Sequence, residues 1–346
     1  MKVRVSSPTS ISRSSLLALG TAVCVCAFAA SALAKQKIVT FDPPGSIATY
    51  AWTVSGKGIV TGFYFDGSGG TTKGFVRTRD GTITTFNHPT SEVTAVYGID
   101  GKSRVTGYWS TDDGNFPGFV RSTKGKLTSF LADGSVTGTF PVSMNAASAI
   151  AGSYYDAYSV PHGFLRTPDG NIADFDVKND TYGTSPAAIN GADSIAGHYG
   201  DPNGINHGFL RTSDGKIVTF DAAKHSTGTF AQGINTGGVI AGYYFDASGI
   251  AHGFLRATDG TFTRFDPAGS TYTYVASIND NSDVAGYYYD STGIAHGFVR
   301  LAAGSISTFD PDGSSGTFAN FINDNGVAVG FYTDSEGNYH GFLRKP

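Results

Sequence analysis

Five histidines recur in one tripeptide, His-Gly-Phe, at His162, His207, His252, His296 and His340, spaced 44 or 45 residues apart. Imidazoles at a fixed interval invite a metal site. In a ring of such units, however, equivalent atoms on neighbours stand roughly 10 Å or more apart, whereas zinc holds its ligands at about 2.1 Å. They cannot share one ion, so a structural hydrogen bond at the start of a strand is the simpler role, and neither a metal nor a cofactor is expected. A second charged column, Arg77, Arg121, Arg166, Arg211, Arg256, Arg300 and Arg344, suits either an anion-binding surface or, more simply, pairing with Asp side chains and backbone carbonyls between units. Asp246 and Asp290 open Asp-x-x-Gly loops and read as turn caps. Asp310-Pro-Asp312-Gly offers two carboxylates, fewer oxygens than calcium requires. No nucleophile elbow, His-Glu-x-x-His pair or phosphate loop is present. Paired carboxylates for glycoside chemistry can still be distant in sequence and close in space.

These residues are positioned by a repeat. The tetrad Gly-Phe-(Leu/Val)-Arg begins at Gly74, Gly118, Gly163, Gly208, Gly253, Gly297 and Gly341, seven copies in all. Two further columns keep the same period: Gly62, Gly107, Gly152, Gly197, Gly242, Gly286 and Gly330, and Thr49, Thr94, Thr139, Thr184, Thr229, Thr273 and Thr317. Within Thr229 to Asp266 the pattern predicts four short strands, separated by a glycine turn, by Asp246-Ala-Ser-Gly and by the hairpin signal Asp259-Gly260. Four strands in about 45 residues is one β-propeller blade. The expected fold is all-β, a seven-bladed propeller over residues 35–346. Lys37 to Asp42 matches a fourth strand and His340 to Arg344 a third, so the N-terminal strand is expected to complete the last blade and remove its open edge.

Composition agrees with this reading: 47 Gly, 25 Phe and 18 Tyr against 15 % charged residues supply packing and tight turns rather than a charged surface. Phe75 and its six equivalents on third strands, Phe41 and its six on fourth strands, and the series Tyr64, Trp109, Tyr154, Tyr199, Tyr244, Tyr288 and Tyr332 are read as core. Their alternative, a set of sugar-stacking platforms, requires exposed rings. Residues 1–34 read as a signal peptide: Lys2, Arg4 and Arg13 precede an apolar run from Leu16 to Ala30, and Ala32-Leu33-Ala34 marks cleavage. The run is too short for the roughly 20 residues of a membrane span. Cys24 and Cys26, the only cysteines, leave with it. The mature chain keeps 21 basic and 28 acidic residues, a net charge of −7 with no basic cluster. Nucleic acid and anionic membrane surfaces are poor partners for such a chain, and a secreted or periplasmic monomer is expected.

The His-Gly-Phe tripeptides, with Ile234-Asn235 and Ile322-Asn323 in turns, resemble those of bacterial exported proteins with HAF repeats, whose units carry a His-Ala-Phe-like tripeptide and an Ile-Asn-x-x-Gly turn. The resemblance covers the mature chain. Glycine replaces the family's alanine, and Lys73 and Pro117 stand where the first two units would have histidine. It implies an exported β-repeat protein and carries over no catalytic residue.

Function in a propeller requires convergence, near the axis or on the loop-bearing face. There the departures from the repeat are informative. One first-strand position reads Trp52, Tyr97, Val142, Ala187, Gln232, Ala276 and Asn320, too varied for packing alone. The connections between fourth and first strands add His88, Lys178, Asp180, Tyr182, Lys224 and His225. Trp52, Tyr97, Gln232 and these loop residues are the ligand-binding candidates; solvated loop positions are the simpler explanation for the latter. Three functions remain: a binding module for a glycan or protein, a secreted hydrolase or lyase with an axial site, and a structural cell-surface component. The first is preferred, because the repeat is regular and no catalytic constellation is recognised.

Overall fold

The computed structural model describes residues 37–346, so the segment expected to be a signal peptide, with Cys24 and Cys26, lies outside the described residues. All 28 regular elements among the described residues are strands. They form seven four-stranded antiparallel units: 46–86, 94–130, 138–175, 184–220, 228–265, 272–309, and a seventh at 314–345 that takes Lys37–Phe41 as its fourth strand. That strand runs antiparallel to Tyr339–Lys345, with Phe41 opposite Gly341. Unit 5 shows the plan, Gly228–Ile234, Ile240–Phe245, Ala251–Arg256 and Phe262–Phe265, each boundary within a residue or two of the turn signals.

The tetrad acquires a physical meaning from the fourth-strand phenylalanine. Phe265 lies so close to Gly253 of its own unit that a Cβ there would sit 2.9 Å from the ring. The same ring meets Phe298 of the next unit edge-on at 6.2 Å and carries the Arg300 guanidinium 4.8 Å from its centroid. Glycine therefore seats the ring of its own unit, while phenylalanine and arginine of the tetrad grip the ring of the preceding one. The arrangement repeats in all seven units, at 5.7–6.3 Å between phenylalanines and 4.3–5.5 Å for the guanidinium. The third-strand phenylalanines are wholly buried, which removes them as sugar platforms. The arginine expectation needs correction. The column stacks on aromatic faces, and for Arg77, Arg166, Arg211 and Arg256 the guanidinium Nη1 reaches the carbonyl of the following residue in its own unit at 3.4 Å. A planar, weakly hydrated cation gains about 0.5–2 kcal/mol on such a face.

A second circumferential contact runs through the Ile-Asn turns. Asn145, Asn190, Asn235, Asn279 and Asn323 each donate Nδ2–H to the backbone carbonyl of the equivalent residue in the next unit, at 2.9–3.3 Å, the last reaching Ser55 in unit 1. Their Oδ1 atoms accept N–H groups of their own hairpins. Asp100 keeps the hairpin acceptor role, taking the Lys102 and Arg104 N–H groups, but a carboxylate cannot donate onward. Contact is restored with reversed polarity: Ser148 of unit 3 donates its hydroxyl to Asp100 Oδ2 at 2.7 Å.

The histidines are likewise structural. Each accepts a place between two carboxylates of one unit: Nδ1 faces Asp176, Asp221, Asp266, Asp310 or Asp42 at 2.7–2.9 Å, and Nε2 faces Asp156, Asp201, Asp246, Asp290 or Asp334 at 3.2–3.6 Å. The imidazoles also lie against the second-strand tyrosines at 5.1–5.4 Å. Asp246 and Asp290 do cap their turns, each accepting two backbone N–H groups through Oδ1 and leaving Oδ2 for the imidazole. In unit 1, Lys73 pairs with Asp66 instead.

Truncating the ring that joins the last unit to the first tests the shared role of these phenylalanines. Phe41→Ala should cost about 3 kcal/mol, as much as Phe265→Ala in mid-chain, measured by urea denaturation. An unchanged midpoint for Phe41→Ala would show that this contact contributes nothing. The imidazoles give a second test. Burial disfavours the charged form of His162, His296 and His340, but hydrogen bonds and charge from their paired aspartates outweigh it and raise all three pKa values above 6.5. Backbone and side-chain hydrogen bonds hold Asp156, Asp290 and Asp334 below 3.8. The imidazolium contribution is complete below about pH 6.5 and fades as pH rises through the raised values; the carboxylate contribution is complete above about pH 4 and fades below it. Tm should therefore be highest between these limits and fall from pH 6 to 8.5, less so in His340→Gln. A Tm that rises over that interval refutes the ion-pair reading.

Candidate functional site

In every unit the pairing of first and second strands slips by one residue at a shared position, leaving Trp52, Tyr97, Val142, Ala187, Gln232, Ala276 and Asn320 unpaired; units 1 and 7 slip once more near the strand start, at Ile47 and Ser315. A β-bulge re-aims its extra side chain. The glycine column opposite makes room for the slip: a Cβ at Gly62 would lie 2.0 Å from the Tyr50 carbonyl, and at Gly330 1.9 Å from that of Phe318. The bulged residues all line one cavity of about 550 Å³ bounded by the first strands of the seven units. The varied column of the sequence is thus the ring of bulges around the axis.

Trp52 and Tyr97 meet edge to face at 4.9 Å. Gln232 and Asn320 bring amides, Asn320 donating to the Ala51 carbonyl at 3.0 Å across the junction of the last and first units. Ser143, Ser277 and Thr53 add hydroxyls, and Tyr243, Tyr274, Tyr287 and His198 reach the cavity wall. Among the described residues, no Asp, Glu, Lys or Arg lines it. Below it, Val54, Ile99, Ile189, Ile234 and Ile278 border both this cavity and a smaller one of about 230 Å³ on the face of the Ile-Asn turns. Asp100, Asp280 and Asp324 at that second opening are engaged with Arg104, Thr236 and the Asp280 N–H, respectively.

Titration of the axial cavity is suppressed. Burial pushes the His198 pKa down to about 4, so its imidazole is neutral at pH 7, and its Nδ1 is buried without a hydrogen-bond partner. Burial raises Tyr97, and burial with the nearby Tyr274 phenol raises Tyr243 to about 12, against a hydrogen bond from Gln232. The site can supply aromatic faces, amides, hydroxyls and one neutral imidazole. It holds no carboxylate pair for general acid and base chemistry.

The loop candidates stand elsewhere, and none lines the axial cavity. His88 stacks on Trp109 at 3.5 Å, and burial lowers its pKa. Asp180 accepts the Thr184 hydroxyl at 2.6 Å, in the turn position held by Ser46, Ser226 and Ser270 in other units. His225 takes φ +69°, where Gly45, Gly134, Gly269 and Gly313 also have positive values, so a turn explains it. Lys178, Tyr182 and Lys224 are exposed beside these turns. These connections run from the fourth strand of one unit to the first strand of the next, where Asp180 and the His88 N–H are held by Thr184 and Thr94. Sequence reasoning missed His198, Tyr243 and Tyr287; the position preceding the second-strand tyrosine column, read as a column of its own, would have found them.

No family model matches the chain, and no curated protein matches it. Solved structures match in fold. A streptogramin B lyase structure is 14% identical with a TM-score of 0.60, covering 90% of this chain and 98% of that one. A catalytically inactive virginiamycin B lyase from Staphylococcus aureus with quinupristin gives 16%, 0.61, 89% and 99%. The β-propeller domain of the Trilobed protease from Pyrococcus furiosus gives 11%, 0.63, 85% and 95%. At these identities the likeness shows the propeller fold.

Proposed function

We propose that this chain is an exported, monomeric propeller, akin to the HAF-repeat proteins, that binds an uncharged glycan in its axial cavity. One observation carries the reading: seven bulges converge on a space with aromatic faces and neutral hydrogen-bonding groups but no charged side chain. A charged ligand would lose its hydration there with no counter-charge to replace it, at a cost of several kcal/mol. A sugar ring has apolar C–H faces for Trp52 and Tyr97 and hydroxyls for Gln232, Asn320 and His198. The volume suits a small ligand, which favours a glycan over a protein surface. The absence of a carboxylate pair from the lining speaks against glycoside hydrolysis, and the mixed polar lining against an inert structural core.

Binding is read through the tryptophans, of which the chain has 2. Trp109 is held against His88, outside the axial cavity, so a ligand-dependent change in emission reports Trp52. A screen of neutral glycans should find ligands that shift this signal. Trp52→Ala, which removes the reporter and is followed by calorimetry, and Gln232→Ala should weaken them about 30-fold and tenfold without lowering Tm, while Lys224→Ala should bind as the parent does. Unchanged affinity in both cavity variants, or a screen with no ligand, overturns the proposal.

A further inference from the structure

Above the bulges each unit presents one facing pair of side chains, first strand against second. In four units the pair is two stacked rings: Tyr50 and Phe63, Phe230 and Tyr243, Tyr274 and Tyr287, Phe318 and Phe331, at 4.9–5.1 Å. Edge or tilted contacts at 4.9–5.1 Å join these units to one another and to their neighbours, including Phe331 to Tyr50, His198 to Phe230 and Tyr108 to Phe140. In unit 2 the first-strand member is Ala95, but Tyr97 stacks on Tyr108 at 5.6 Å and meets Phe63 at 5.8 Å. The aromatic belt is interrupted at one place, where Ser153 faces Phe140 and Ser185 faces His198.

A groove of about 670 Å³ lies at that interruption. Tyr108, Phe116, Phe140 and Tyr155 give it aromatic walls, and Ser153 and Ser185 give it hydroxyls. Its lining, like that of the axial cavity, carries no charged side chain, and Tyr97, Val142 and Pro186 border both spaces. His198 lines the axial cavity opposite Ser185 of the groove, and its buried Nδ1 has no hydrogen-bond partner among the described residues. A buried nitrogen without a partner costs free energy that a ligand hydroxyl recovers.

We propose that cavity and groove are one elongated site for a linear, uncharged oligosaccharide, whose terminal residue lies at the bulges and whose chain leaves over Ser153 and Ser185. This rests on the neutral-glycan reading and adds to it a direction, a chain length and a set of residues. Two uncharged spaces that share three wall residues, at the one interruption of the belt, favour a continuous chain over two separate small ligands.

The probes are cello-, malto- and chito-oligosaccharides graded from two to six residues, titrated by tryptophan emission and calorimetry. Ser153→Tyr and Ser185→Phe restore the ring types that other units carry at these positions, so the fold accommodates them. For the parent protein, affinity in the series that binds should rise about tenfold from two residues to four. Both ring-restoring variants should abolish that gain and leave disaccharide affinity unchanged, whereas Trp52→Ala weakens every length. His198→Phe, which keeps a ring against Phe230, should lower affinity for the longer members. A length-independent parent, or variants that retain the gain, overturns the elongated site while leaving the axial glycan site intact. If no series binds at any length, the reading beneath it falls as well.

Discussion

The fourth-strand phenylalanine is the contact on which the architecture depends. Each ring is held by a glycine of its own unit and by a phenylalanine and an arginine of the next, so the residues that complete one sheet also dock it to its neighbour. An isolated four-stranded sheet would leave both faces exposed; this contact buries them in sequence and passes from Lys37–Phe41 to the first unit through Phe41 and Phe75. The asparagine belt adds directionality, because an amide can accept from its own hairpin and donate to the next unit at once. Where Asp100 replaces it, only the accepting half survives and the neighbour must supply the donor.

Packing and site are separated by the bulge. Residues that repeat are spent between units, and the one position that slips out of the pairing is released from that duty and turned toward the axis. The same glycine that permits the slip cannot carry a Cβ, since a carbonyl lies about 2 Å away. Sevenfold repetition thus produces seven independently variable side chains around a single space. Trp52, Tyr97, Gln232 and Asn320 fill four of them, and small or apolar residues fill the rest.

This division explains what could be read in advance. The tetrad, the buried threonines and the complementary termini are dictated by contacts made in every unit, and such contacts leave columns in a sequence. Trp52, Tyr97 and Gln232 were visible as departures from a column. The rim residues were departures too, but turns vary because several residue types satisfy them: His225 occupies a left-handed position that glycine takes in other units. Variation alone does not separate a released position from a tolerant one; the bulge does, and it is seen only in the strand register. The arginines were misread for a related reason: each guanidinium lies on the phenylalanine face of the preceding unit, a contact that no charge pattern in a sequence reveals. Ser153 and His198 are exceptions within an aromatic column that lies one residue before the tyrosine column and is masked by it, and Ser185 is an exception in the facing first-strand column, one residue after the repeated threonines.

The charge distribution follows from the same economy of contacts. The chain is acidic, yet its carboxylates are drawn to turns, where Asp156, Asp201, Asp246, Asp290 and Asp334 each accept backbone N–H groups that a tight loop would otherwise leave unpaired. Those turns lie at the ends of the second strands, away from the axial lining, and the histidines that face them share part of their charge. Negative charge therefore collects at turns, including those that bring Asp100, Asp280 and Asp324 to the smaller opening, while the lining of the larger axial cavity stays neutral. Under the glycan reading proposed above, such a lining would select by shape, aromatic contact and hydrogen bonding rather than by charge. A polar but uncharged ligand satisfies all three requirements.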